Sequence, residues 1–209
     1  MYNYRTICIC GGGGLGHTIA ASLNHNGYQV NLLTGHPEQW SNHIHVTDCN
    51  GTIITGEIAK ISKYPEEVIP FSDIILLCVP GYLIQKTLHA IAPYVNNNIE
   101  IGTVISSGGF FWMARHELGK EHRLFGFQRV PYISRVKEYM GDAGNLLTGG
   151  SGSVRNVSGK TGVNLCPLCG EGKQVTDTSG EMLTLLSELF KVQIQRQMIS
   201  SDDFTGTFV

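Results

Sequence analysis

The sequence predicts a doubly wound α/β domain whose sheet is mostly parallel, with a small antiparallel insertion. Three observations carry this expectation. Strand-like and helix-like periodicities alternate from Arg5 to Val130, and a glycine cluster, Gly11 to Gly16, separates the first strand from the first helix. Asp73 to Val79 (DIILLCV) is a continuous apolar run, which a strand covered on both faces carries.

Arg5 to Cys10 is rich in β-favouring residues and predicts the first strand; His17 to Asn26, with Ile19, Ala20 and Leu23 at helical spacing, predicts the helix after the glycines. Gly27 stands where a helix-ending glycine belongs, and Tyr28 to Thr34 predicts a second strand, giving a right-handed βαβ unit. Ile44 to Asp48, Thr52 to Thr55 and Glu57 to Ser62 predict three short strands, with Asn50-Gly51 as a hairpin turn between the first two. Together these three are expected to form the antiparallel insertion. Pro65 to Ile69 predicts a short helix, Asp73 to Val79 a central parallel strand, and Gly81 to Tyr94 an amphipathic helix. Ile99 to Ser106 predicts a strand, Gly108-Gly109 a turn, Phe110 to Leu118 a helix and Arg123 to Val130 another strand. Beyond Pro131 the pattern weakens. Strands are expected around Val154 and over Val163 to Leu168, a helix over Ser179 to Phe190, and a closing strand over Val192 to Gln197.

The chain has 209 residues, enough for one domain, expected to have its core in residues 1–150 and closing strands and a helix in 151–209. Its 15 Lys and Arg against 17 Asp and Glu leave no strong field for binding nucleic acid through bulk charge. The longest apolar stretches fall far short of the roughly 20 residues a membrane span needs, and the start leaves no room for a secretory signal. A soluble, cytoplasmic protein is expected, with its six cysteines as free thiols.

Gly11, Gly13 and Gly16 satisfy G-x-G-x-x-G directly after a predicted strand and at the mouth of a predicted helix. In that setting the first glycine permits a tight turn, the second lets main chain approach a pyrophosphate, and the third lets helix pack on strand. The exposed N–H groups and helix dipole then favour bound phosphate. A nucleotide is the expected ligand, and an FAD or a nucleotide sugar could use the same loop as a nicotinamide dinucleotide. The end of the second strand reads Leu33-Thr34-Gly35-His36, with no carboxylate to repel a 2′-phosphate and with Thr34 and His36 as donors, so NADP is expected ahead of NAD. Nicotinamide orientation falls to the carboxyl ends of the later strands, near Val79-Pro80 and Ser106.

Other constellations are weaker. Cys166-Pro-Leu-Cys169 has the form of half a zinc knuckle without a second pair, so no metal site is expected. His43 and His45 would share one face of a strand, most simply an exposed edge strand. Arg129 and Arg135, around Val130-Pro131-Tyr132, have the chemistry to hold a substrate carboxylate.

Five segments in order, Ile9 to Ala21 (ICGGGGLGHTIAA), Leu32 to Trp40 (LLTGHPEQW), Asp73 to Gly81 (DIILLCVPG), Ile91 to Tyr94 (IAPY) and Ser107 to Trp112 (SGGFFW), resemble the N-terminal Rossmann-type domain of opine dehydrogenases and, more distantly, of ketopantoate reductases and glycerol-3-phosphate dehydrogenases. The resemblance implies that Gly11, Gly13, Gly14, Leu15 and Gly16 hold the pyrophosphate of NAD(P), that Thr34 to His36 face the adenosine ribose, and that Val79-Pro80 line the nicotinamide side. It implies an oxidoreductase acting on a small keto, imino or hydroxy acid. The family's helical second domain, which supplies the acid/base group, is expected to be missing from these 209 residues, so no catalytic residue is assigned. The face it would cover is expected to promote self-association. Two other functions keep parts of the pattern: a non-catalytic NAD(P)-sensing or partner-binding module, and a zinc-knuckle interaction domain built on Cys166 and Cys169.

Overall fold

A computed structural model describes residues 5–47, 53–104, 109–119, 121–126, 132–136 and 154–159, the last two segments by backbone alone. The first βαβ unit consists of β1 (Thr6–Cys10), α1 (Gly14–His25) and β2 (Gln29–Leu33). Helix α1 ends as its sequence requires. Gly27 takes φ +90°, its N–H donates to Asn24 O (2.8 Å), and the Tyr28 N–H reaches back to Leu23 O (3.2 Å). This is the Schellman pattern, which satisfies carbonyls that the helix leaves without partners.

Strands β3 (His43–Thr47) and β4 (Ile53–Glu57) pair antiparallel, with His43 opposite Glu57 and Thr47 opposite Ile53. The third expected member of the insertion does not join them. Lys60–Ser62 forms β5, which pairs in parallel with the outer edge of β2. Ala59 N–H donates to Val30 O (2.8 Å) and Thr34 N–H to Ser62 O (2.9 Å), so the backbone groups left open along β2 capture this segment. The short helix expected from Pro65 is two 3-10 turns, Pro65–Glu67 and Ile69–Phe71. Then come β6 (Ile74–Leu77), α2 (Gly81–Ile91), β7 (Glu100–Thr103), α3 (Phe110–Leu118) and β8 (Leu124–Gly126). The amphipathic run to Tyr94 ends as a 3-10 turn over Ala92–Tyr94.

The main sheet has the order β5-β2-β1-β6-β7-β8, all parallel. This is the Rossmann strand order, with its reversal between β1 and β6. Both faces are covered. Ile7, Ile9, Val30 and Leu32 pack with Ile19, Ala20 and Leu23 of α1, while Cys8, Cys10, Ile75 and Leu77 pack with Ile84 and Leu88 of α2 and Phe110 and Ala114 of α3. All four residues of β6 are buried, as the run Asp73 to Val79 predicts for a central strand. His89 Nδ1 (2.9 Å) and Gln85 Nε2 (3.2 Å) on α2 hold the Glu117 carboxylate of α3, tying the two helices together.

A second sheet, ordered β4-β3-β10-β9, is completed by β9 (Tyr132–Val136) and β10 (Val154–Gly159). Strand β9 has no clear signal in the sequence pattern; β10 falls where a strand around Val154 is expected. Because β10 adds in parallel to β3, with Val154 beside Val46, β3 is an interior strand. His43 and His45 are exposed, and the pairing with β10 covers Val46 and Thr47 and not these two residues. The segments Val163–Leu168, Ser179–Phe190 and Val192–Gln197, and the pair Cys166 and Cys169, lie outside the described residues. No described helix is long and apolar enough to cross a membrane.

This second sheet packs on α1, and at one point the contact leaves no room for a side chain. A Cβ built on Gly56 of β4 would lie 2.8 Å from Ala21 Cα and 3.2 Å from Ala21 O. Backbone meets backbone there, so neither partner can yield by rotating a side chain. Gly56→Val is expected to force β4 off α1 and cost about 1–3 kcal/mol, the usual range for overpacking. Thermal unfolding checks this: the midpoint should fall by several degrees relative to the unsubstituted chain.

Candidate functional site

The carboxyl ends of β1 and β6 meet at the strand-order reversal, where an open α/β sheet forms its ligand crevice. Cys78 N–H donates to Cys10 O (2.8 Å), holding the two strand ends together. Gly11 leaves β1 with φ +131°, a conformation that side-chain-bearing residues rarely adopt, and its N–H donates to Leu33 O (3.0 Å). A Cβ on Gly11 would sit 2.7 Å from Cys78 O and 3.2 Å from Val79 Cγ1. Gly16, buried in the first turn of α1, returns against the same residue, its Cβ position lying 2.5 Å from Gly11 O. These two glycines are therefore fixed by the protein's own packing.

Gly13 differs. It is exposed, has extended backbone (φ −94°, ψ 179°), and a Cβ there would meet nothing within 4 Å. It caps α1 with no side-chain hydrogen bond, and the first turn carries no acidic residue. The first bond across the helix mouth is His17 N–H to Gly13 O (3.1 Å), so the N–H groups of Gly14, Leu15 and Gly16 lie ahead of it, among the donors that a helix cannot satisfy itself. With the helix dipole these make an anion-binding mouth. Gly14 and Leu15 are half-buried, with Leu15 packed against the apolar cluster around α1.

Gly12, which the spacing rule leaves unassigned, is crowded too, by side chains where Gly11 meets main chain. A Cβ there would lie 2.6 Å from Thr34 Oγ1 and 3.1 Å from Trp40 Nε1. Thr34 and Trp40 thus border the glycine turn on its β2 side. Thr34 is buried, and its Oγ1 accepts from the His36 N–H (3.4 Å). His36 is exposed, and its Nδ1 lies 3.2 Å from Glu38 Oε1. The strand end does carry a nearby carboxylate, supplied from beyond His36 on a 3-10 turn, Pro37–Gln39. Sequence reasoning misses it because the turn folds Glu38 back onto a position that the linear spacing assigns to residues 33–36. The Glu38 carboxyl is held below its usual value by a bond from its own main-chain N–H, then by His36 and by the charge of Lys63.

Trp40 stacks on His17, with ring centroids 3.6 Å apart and planes within 15°. His17 is buried, its Nδ1 is 3.4 Å from Gly13 O, and its Nε2 has no partner among the described residues. Burial lowers its pKa from 6.5 to about 4, against a small opposing effect of the Gly13 carbonyl. On the other wall, Val79 is half-buried beside Gly11 and Pro80 is exposed, capping α2. Cys10 and Cys78 beneath the turn are free and buried. A hydrogen bond to Cys8 and then burial push the Cys10 thiol up, and burial does the same to Cys78, so these thiols pack as small apolar groups. Ser106 lies outside the described residues.

The strand order, the glycine turn and the open helix mouth define a Rossmann-type α/β fold with an anion-accepting turn at its crevice. The ketopantoate reductase PanE/ApbA family model matches residues 7–106. Octopine dehydrogenase of Pecten maximus is 28% identical over 149 residues, covering 64% of this chain and 37% of that protein, and opine dehydrogenase of Haliotis discus hannai is 26% identical over 153 residues. The chain thus spans well under half the length of the curated relatives it matches. A structure of octopine dehydrogenase with NADH and L-arginine superposes with a TM-score of 0.74 at 24% identity, over 93% of this chain and 48% of that one. Yersinopine dehydrogenase with NADP+ bound gives 0.69 at 10% identity, over 99% and 50%. The chain is thus similar in sequence to opine dehydrogenases and to the ketopantoate reductase PanE/ApbA family, and it shares the Rossmann-type fold of the solved structures.

His17 gives the turn a measurable pH response. The unfolded chain takes up a proton near pH 6.5 and the folded chain only near 4, so the contribution of neutral His17 is complete above 6.5 and is lost progressively as pH falls to 4. The loss is on the order of 3 kcal/mol. In His17→Phe, which keeps a ring against Trp40, denaturant unfolding across that window should show a correspondingly shallower decline.

Proposed function

We propose that Gly13, Gly14, Leu15 and Gly16 bind the pyrophosphate of a nicotinamide dinucleotide. Gly11 shapes the turn, Thr34 and His36 face the adenosine ribose, and Val79, Pro80 and Ser106 line the nicotinamide end. The single observation that carries this is the contrast among the glycines: Gly11, Gly12 and Gly16 are filled in by the protein itself, whereas Gly13 faces open space at an uncapped helix mouth. An open, side-chain-free position in front of free N–H groups fits a diphosphate. An FAD or a nucleotide sugar would use the same loop; the relatives, which include proteins solved with NADH and with NADP+, favour the nicotinamide dinucleotides.

The bound cofactor would supply hydride chemistry at its nicotinamide ring. The chain's own contribution is binding and orientation: helix N–H groups for the phosphates, and the Val79-Pro80 wall to set which ring face is open. In the longer protein implied by its relatives, the activity is an opine dehydrogenase-like reduction or oxidation of a small keto, imino or hydroxy acid, and the substrate is a small molecule. Tyr82 and Trp112, exposed in the first turns of α2 and α3, support an apolar contact at that end of the sheet, with a second domain or a second copy. The free thiols fit a cytoplasmic setting. The expectation of NADP over NAD rests on a strand end without a carboxylate, and Glu38 beside His36 removes that support.

Titration of the 209-residue chain with NADH, followed by cofactor fluorescence, tests the binding. Saturable binding is expected. Gly13→Val should weaken it by about a hundredfold or more while changing stability by less than about 1 kcal/mol, since the site is open and its backbone extended. A Gly13→Val chain that binds as tightly as the original would refute the assignment.

A further inference from the structure

Trp40 closes the 3-10 turn after β2, and its ring lies flat on His17 of α1, with centroids 3.6 Å apart and planes within 15°. The ring is half-buried and packed on the apolar cluster around α1, so the fold sets its orientation before any ligand arrives. One edge of it borders the glycine turn: a Cβ on Gly12 would lie 3.1 Å from Trp40 Nε1. Gly12 and Gly13 are both exposed there. A side chain at position 12 would press on the indole N–H, so the glycine that the spacing rule leaves unassigned keeps this donor clear. Thr34 Oγ1, also beside Gly12, accepts from the His36 N–H (3.4 Å), and the indole N–H has no hydrogen-bond partner among the described residues. An indole N–H can only donate, and one held in a half-buried ring without a protein acceptor is left for a ligand or water.

We propose that Trp40 is a further binding residue of this site, its indole N–H donating to a diphosphate oxygen of the bound dinucleotide, and that His17 is the positioning residue that sets its ring. The proposal rests on the dinucleotide-binding function proposed above. The α1 mouth supplies main-chain donors after Gly13, and Trp40 adds one side-chain donor beside Gly12, so the diphosphate is held from both ends of the exposed Gly12-Gly13 pair. An anionic oxygen is the acceptor that such a donor favours, because hydrogen bonds to charged groups are the stronger class. His17 is buried, and its Nδ1 lies 3.4 Å from Gly13 O, so the surface beneath the indole is anchored to the turn itself.

The test uses the 209-residue chain with the substitution Trp40→benzothienylalanine, which keeps a ring of the same shape on His17 and puts sulfur in place of the N–H. Titrated with NADH and with ADP, it should bind each about tenfold more weakly than the original chain, with an unchanged thermal midpoint. His17→Ala, which takes the ring from beneath the indole, should also weaken NADH binding, and His17→Phe should restore most of it. In the original chain, isotope-labelled for nuclear magnetic resonance, one of the two indole N–H signals, the one that Trp40→Phe removes, should move downfield as ADP is added. An analogue chain that binds both ligands as tightly as the original, a loss for NADH without one for ADP, or a Trp40 signal unmoved at saturating ADP would overturn the role of Trp40 and leave dinucleotide binding standing. Unchanged NADH affinity in His17→Ala would overturn the positioning role of His17. Binding of neither ligand to the original chain would overturn this proposal and the dinucleotide function together.

Discussion

The close approach of Gly11 to the end of β6 is the constraint on which the site depends. With φ +131° and its Cβ position 2.7 Å from Cys78 O, Gly11 turns the chain inside the space left by the neighbouring strand. Gly16 then brings the first turn of α1 back onto the Gly11 carbonyl. Two contacts of main chain on main chain thus aim the helix mouth at the crevice between β1 and β6. The donors there are aligned before any ligand arrives, which is the condition for binding charge without reorganisation. Everything outward of that turn is less constrained, and Gly13 is the position where the constraint gives way to open space.

Packing on either side keeps this turn in place. Beneath it, Cys8, Cys10 and Cys78 fill space as apolar groups at the meeting of β1 and β6. Beside it, the second sheet holds α1 from its outer face, with Gly56 against Ala21, so the helix is gripped between two sheets. Trp40 and His17 seal the β2 side by ring stacking, and the burial that makes this stack keeps His17 neutral. A charged imidazole beside the helix mouth would change both the field and the packing, so the same burial serves the fold and the electrostatics of the turn.

Much of this is legible in the residues. The βαβ unit and the helix over Phe110 to Leu118 follow from periodicity, and the central strand from its unbroken apolar run, which buries both of its faces. The roles of Gly11 and Gly16 follow from the motif. What was hidden depended on partners far along the chain. Lys60–Ser62 looks like part of a hairpin, yet the open edge of β2 captures it; β3 looks like an edge, yet β10 arrives on its far side. Gly12 gains its constraint from Thr34 and Trp40, and Glu38 reaches His36 only because a 3-10 turn intervenes. No local pattern encodes contacts of that kind. The motif speaks of backbone geometry and is silent about the side chains around it.

The most direct measurement is the structure of the chain with NADH bound. The account predicts diphosphate oxygens within hydrogen-bonding distance of the main-chain N–H groups of Gly13, Gly14 or Leu15, with Gly11 and Gly16 unmoved. A diphosphate seated away from the α1 mouth, or a turn that must rebuild around Gly11 to accept it, would contradict the account.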